Sequence, residues 1–148
     1  MIEIVDARQT HVGPVANGLC DDIKVEYQKI GLRPRAGLRR LVDESSYCKT
    51  ALLDGKPIAM WGVIGSEMAT HGEIWLSLSE MGRMQRKALV RIARREVENL
   101  AVLRGMLVAT MMCEDARAKR FLQMLGFRQV GDDVSQLGVP ITRMVLEA

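Results

Sequence analysis

The stretch SEMGRMQRKALVRIARREVENL, Ser79 to Leu100, leaves a strand and enters a long helical repeat. Leu89, Ile92, Ala93, Val97 and Leu100 recur at the spacing of one helix face, and Leu103 extends that stripe towards Gly105, a helix-ending residue. Read as one helix, the stretch carries Arg83, Arg86 and Lys87 in its first turn. That is the wrong sign, because the positive end of a helix macrodipole favours acids. Two readings explain the cations. They are a solvated basic face, continued by Arg91, Arg94, Arg95 and Arg104. Alternatively, they share an anionic ligand with the unpaired N–H groups of the helix start.

The flanking segments supply the frame. Ile2–Ala7 alternates like a strand. Val12, Val15, Ala16, Leu19, Ile23, Tyr27 and Ile30 have helical spacing, which predicts one helix from Thr10, its N-cap, to about Ile30. A shorter helix follows over Arg35–Val42. In YCKTALLDGKPIAMWGVIG two apolar runs flank Asp54-Gly55, a pair suited to a tight hairpin turn. Gly72–Ser79 is a further strand, and Met106–Met112 is a fully apolar one. EDARAKRFLQMLGF is an amphipathic helix closed by Gly126, and VPITRMVLEA is a last strand with Pro140 near its beginning. The predicted fold class is α/β: a mixed, mostly antiparallel sheet flanked by helices, in a single domain over residues 1–148.

Composition narrows the function. A chain of 148 residues, 48% hydrophobic and 26% charged, builds a core without staples. The net charge of +3 permits an anionic ligand without demanding nucleic acid, and 4% aromatics with no recognition motif count against a nucleic-acid binder. Cys20, Cys48 and Cys113 lack metal-ligand spacing and read as reduced thiols, Cys113 as structural; with His11 and His71 they make no zinc site, so no metal is expected. The start MIEIVDARQT has no signal-peptide pattern and no apolar run spans a bilayer, which predicts a cytoplasmic protein without a membrane partner. Trp61 and Trp75 are expected in the core.

With LSEMGRMQRKA at the strand-to-helix junction and ARAKRFLQMLGF later, the element order resembles the GNAT superfamily of N-acetyltransferases over nearly the whole chain. In that family a loop of the type R/Q-x-x-G-x-G/A opens the helix that holds the coenzyme A pyrophosphate. Here Leu78 falls at the preceding strand end, Arg83 at the first motif position, Arg86 at the middle glycine and Ala88 at the last position. The late helix of the family reads N-x-x-A-x-x-L-Y-x-x-x-G-F, matched by Asp115, Ala118, Phe121, Leu122, Gly126 and Phe127. Leu122 replaces the tyrosine that in many members protonates the departing thiolate, so that proton must come from water or another group. DDIKVEYQKIGL, IWLSLS and FLQMLGF, which lacks the tyrosine, also resemble divergent bacteriophage-encoded members, some of them internal virion proteins.

The resemblance implies an acetyl-CoA-dependent N-acyltransferase acting on an amine. Arg83, Arg86, Lys87 and the backbone through Ala88 would hold the pyrophosphate, while Leu78 and Ser79 would lie along the pantetheine arm. Glu73 would be the base that deprotonates the acceptor; as a strand-start glutamate it also reads as simply exposed. His71 is a weaker candidate beside it. The rival expectation is a non-catalytic GNAT fold serving as a phage structural or interaction protein, in the host cytoplasm or the virion. Its partners would be a second copy of the chain or virion proteins.

Overall fold

The structure, a computed structural model, describes residues 1–65, 68–69, 71–112, 115–131, 133–136 and 138–148. Cys113, and Asp132 and Leu137 of the late loop, lie outside the described residues. In chain order the strands are β1 (Ile2–Asp6), β2 (Ser45–Leu53), β3 (Lys56–Ile64), β4 (Gly72–Leu78), β5 (Met106–Met112), β6 (Arg128–Gln129), β7 (Val134–Gln136) and β8 (Val139–Glu147). Between them lie α1 (Val12–Asn17), α2 (Asp21–Lys29), α3 (Pro34–Glu44), α4 (Glu80–Met84), α5 (Arg86–Arg104) and α6 (Ala116–Met124).

The strands form one sheet in the order β1-β2-β3-β4-β5-β8-β6, with β7 also on β8. The turn between β2 and β3 holds Asp54 at φ 49° and Gly55 at φ 83°, as a two-residue hairpin with positive angles requires. Among the described residues, β4 with β5 is the parallel pair, and every other pairing is antiparallel. Alternation along the strands gives each face its own core. On one face Met60 packs under α1–α3 with Val12, Val15, Leu19, Tyr27 and Leu38. On the other, Val63, Leu107 and Met144 meet Val97 and Leu100 of α5 and Leu122 of α6. Both tryptophans are half-buried with satisfied N–H groups, Trp75 on Ser45 Oγ at 2.8 Å and Trp61 on Glu96 at 3.3 Å. Glu96 also accepts from Tyr47 Oη at 2.5 Å, which ties α5 to the sheet.

Three local expectations change. The helix predicted from Thr10 to Ile30 is broken: Thr10 lies in a 3-10 turn over Gln9–His11, and the chain opens at Gly18–Cys20 between α1 and α2. Leu19 there pairs with Ser79 at the end of β4, a contact that helical periodicity cannot register. Leu103 is 76% exposed, and Ala101 takes a core position instead. The long helix starts at Arg86, so Arg83 stands in the last turn of the separate α4.

Candidate functional site

The parallel pair does not run the length of its strands. β4 and β5 are joined only at Gly72–Leu107 and Glu73–Val108, after which they part. Ser79 N–H bonds to Ile58 of β3 at 3.0 Å, so by strand alternation the amide groups of Leu76 and Leu78 point away from β3, into the gap. Leu76, on the strand beside the gap, is 42% exposed. Parting carboxyl ends of parallel strands are where open α/β sheets take ligands.

Beyond Leu78 the chain folds tightly onto β3. Ser79 caps α4, its buried hydroxyl accepting from Gly82 N–H at 3.1 Å and donating to Ile58 O at 2.9 Å. Gly82 is required by the close approach, since a Cβ there would lie 2.5 Å from Ile58 O. Gln85 then turns the chain out of the helical path (φ −100°, ψ 24°) and α5 begins afresh. The break matters for charge. Met84, Gln85, Arg86, Lys87, Ala88 and Arg91 line a shallow recess of about 400 Å³, towards which the unpaired first-turn N–H groups of α5 contribute. Arg86 and Lys87 are exposed, and neither forms an ion pair among the described residues. Arg83 does not share this position. Its guanidinium grips both oxygens of Asp22 on α2, at 2.9 and 3.1 Å. Burial opposes both charges, and their pairing outweighs it: Asp22 titrates below its ordinary value and Arg83 above.

The far side of the gap is crossed by α2. Cys20 N–H donates to Leu78 O at 3.1 Å and Glu80 N–H to Gly18 O at 2.8 Å, so residues 18–20 cover the β4 edge beyond Leu78. Tyr27 Oη bonds to Ser77 Oγ of β4 at 2.9 Å in the interior. One helical turn after Asp22, Glu26 meets Asp115, the N-cap of α6 just past β5; burial, then the hydrogen bond and charge of Asp115, then Asp22, push Glu26 up to about 8. Glu73 sits apart, exposed at the closed base and accepting from Thr110 Oγ1 at 3.3 Å. It lies about 16 Å along the strand from Leu78, at roughly 3.3 Å per residue. His71 is exposed just before it.

No family model matches the sequence, and no curated protein matches it either. Solved structures do. An aminoglycoside acetyltransferase, AAC(6')-Ib, in complex with ribostamycin and coenzyme A superposes with a TM-score of 0.73 at 18% identity over 99% of this chain and 93% of that one. The spermidine N-acetyltransferase of Vibrio cholerae, in complex with CoA and spermine, gives 0.73 at 13% identity over 99% and 95%. An acetyltransferase of the GNAT family from Bacillus anthracis gives 0.73 at 11% over 99% and 94%.

The fold is that of the GNAT acetyltransferases.

Against that GNAT fold, the sequence-predicted residues divide into groups. Leu78, Arg86, Lys87 and Ala88 gather around the splayed strand end and the start of α5, and Ser79 anchors that turn with a hydroxyl already committed to the protein. Arg83 is turned onto α2, and Glu73 stands at the opposite end of β4. Leu122 is buried against the α5 side of the core and offers no hydroxyl to the cleft. Glu26 and Asp22 went unremarked in the sequence, although their spacing of one turn, on the helix nearest the gap, was the signal available.

Proposed function

We propose that this chain is an acetyl-CoA-dependent N-acyltransferase whose acceptor is an amine. The observation that carries the reading is the parting of β4 and β5 beside a recess where Arg86 and Lys87 have no ion-pair partner among the described residues. Arg86 and Lys87 would hold the pyrophosphate, Arg86 as a planar multidentate donor, with the α5 N–H groups through Ala88 beside them. The amides of Leu76 and Leu78 would bond the pantetheine arm as an added strand would. Arg83 contributes by holding α2 across the gap, with Ser79 fixing the turn. The amine attacks the thioester carbonyl while both are fixed in the cleft, an advantage drawn chiefly from positioning. Glu73, at the base on the face that also carries Trp75 and Ser77, would take the acceptor proton. Acceptors carrying several amines are favoured by the amine ligands of the similarly folded enzymes. Calorimetric titration with acetyl-CoA tests the reading: saturable binding below millimolar is expected, and no heat and no thermal shift at millimolar ligand overturns it.

The second reading is a GNAT fold that engages partner macromolecules without turnover. It is favoured by the cover that residues 18–20 place on the β4 edge. It requires that acetyl-CoA, if bound, is never consumed in the presence of any amine.

A further inference from the structure

Backbone pairing between β4 and β5 ends at Glu73 and Val108, yet one side-chain bond joins the two strands past that rung. Thr110 shares a face of β5 with Val108, and so with Glu73, and its Oγ1 donates to Glu73 Oε1 at 3.3 Å. The two ends of this bond differ in freedom. Thr110 is short and β-branched, and its strand is fixed on the other side by the β8 ladder, where it pairs with Arg143. Glu73 is long and exposed, with much rotamer entropy to lose. Among the described residues, Thr110 is the one hydrogen-bond partner of that carboxylate, which forms no ion pair there and keeps Oε2 open. A bond between exposed groups adds little to stability, because water replaces it readily. What it supplies is position, at the point where the strands part.

We propose, on the acyl-transfer reading above, that Thr110 is a positioning residue for that reaction, its hydroxyl fixing Oε1 so that Oε2 of Glu73 is presented to the acceptor amine at the fork. Glu73 takes a proton from the nitrogen, the N–C bond forms and the C–S bond breaks. Solvent carries that proton from Glu73 to the departing thiolate, so one proton has moved from nitrogen to sulfur overall. A general base acts only within hydrogen-bond reach of the proton it removes. A free glutamate must give up its rotamer freedom at each turnover, whereas one already bonded to a rigid strand has given it up on folding. Thr110 touches no reacting atom itself; it acts through Glu73.

The test measures thiol release from acetyl-CoA with 1,4-diaminobutane as acceptor, and acetyl-CoA binding by calorimetry in parallel. Thr110→Val keeps the shape and removes the donor; it should lower kcat about 10-fold and leave acetyl-CoA affinity unchanged. Thr110→Ser keeps the donor and should restore most of the loss. Glu73→Gln should lower kcat about 100-fold, and adding Thr110→Val to it should cost nothing further, because the residue it acts through is gone. In the ligand-free protein, the carboxyl carbon resonance of Glu73 in NMR should move on Thr110→Val and return with Thr110→Ser. Equal losses from Thr110→Val in the wild-type and Glu73→Gln backgrounds mean a merely structural role and overturn the assignment. So does an unchanged kcat, an unmoved carboxyl resonance, or a wild-type protein that binds acetyl-CoA yet releases no thiol with this acceptor. Absence of acetyl-CoA binding overturns instead the acyl-transfer reading on which it rests.

Discussion

The recess at the start of α5 and the mouth beneath α2 lie on either side of the same strand gap and treat charge in opposite ways. At the recess, Arg86 and Lys87 stand in solvent with no ion-pair partner among the described residues, which costs the fold little because exposed cations remain hydrated. At the mouth, Arg83 and Asp22 are partly withdrawn from water and compensate each other, whereas Glu26, beside the like charges of Asp115 and Asp22, is pushed towards its neutral form. Charge left unopposed is available to a ligand, whereas charge opposed across elements holds those elements in place. Membership of a motif does not decide which role a residue has. Arg83 and Arg86 lie one helical turn apart in sequence and fall on opposite sides of the division.

The largest effect expected from this contrast is on ligand affinity. Arg86→Ala with Lys87→Ala should weaken acetyl-CoA roughly 100-fold, about 1.4 kcal/mol for each lost charged contact. Thermal stability should barely move, and equal affinity in calorimetry would break the contrast. Gly82→Ala should cost about 3 kcal/mol in denaturant unfolding, because the new methyl meets backbone rather than a yielding side chain. Asp22→Ala strands a half-buried guanidinium and should cost about 1–2 kcal/mol. A cycle with Arg83→Ala should show strong coupling, whereas Arg83→Ala alone should change affinity far less than Arg86→Ala. The smallest effect belongs to Glu26. Its folded value of about 8 lies above the ordinary 4.5, so its stabilising contribution is intact below 4.5 and is lost as pH rises to about 8. Glu26→Gln should therefore gain on wild type between pH 5 and 9, by of order 1 kcal/mol once solvent screening is allowed for.

Much of the frame was written locally. The Asp54-Gly55 turn, the apolar β5 and the helix ending before Gly126 each follow from neighbours in sequence, and their order predicts the sheet. The departures arise where distant residues decide. Asn17-Gly18 is a turn signal, but the apolar spacing runs on through it, and the break is fixed from a distance, where Ser79 pairs with Leu19. The interruption at Gln85 depends on Gly82 seating against Ile58, so spacing alone counts Arg83 into the wrong helix. Of the site, the cations of the recess were legible as an unusual helix start. The carboxyl pair was not, because Asp115 reaches Glu26 only after β5 has been laid beside β4.

The antiparallel seam between residues 18–20 and 78–80 has a kinetic consequence. Any chain-like ligand extending along that border past Leu78 must trade places with two existing amide links, so its arrival there is gated by a local opening rather than by diffusion alone. The amides of Cys20 and Glu80 are the reporters of that opening, and their deuterium uptake measures how often the border is vacated.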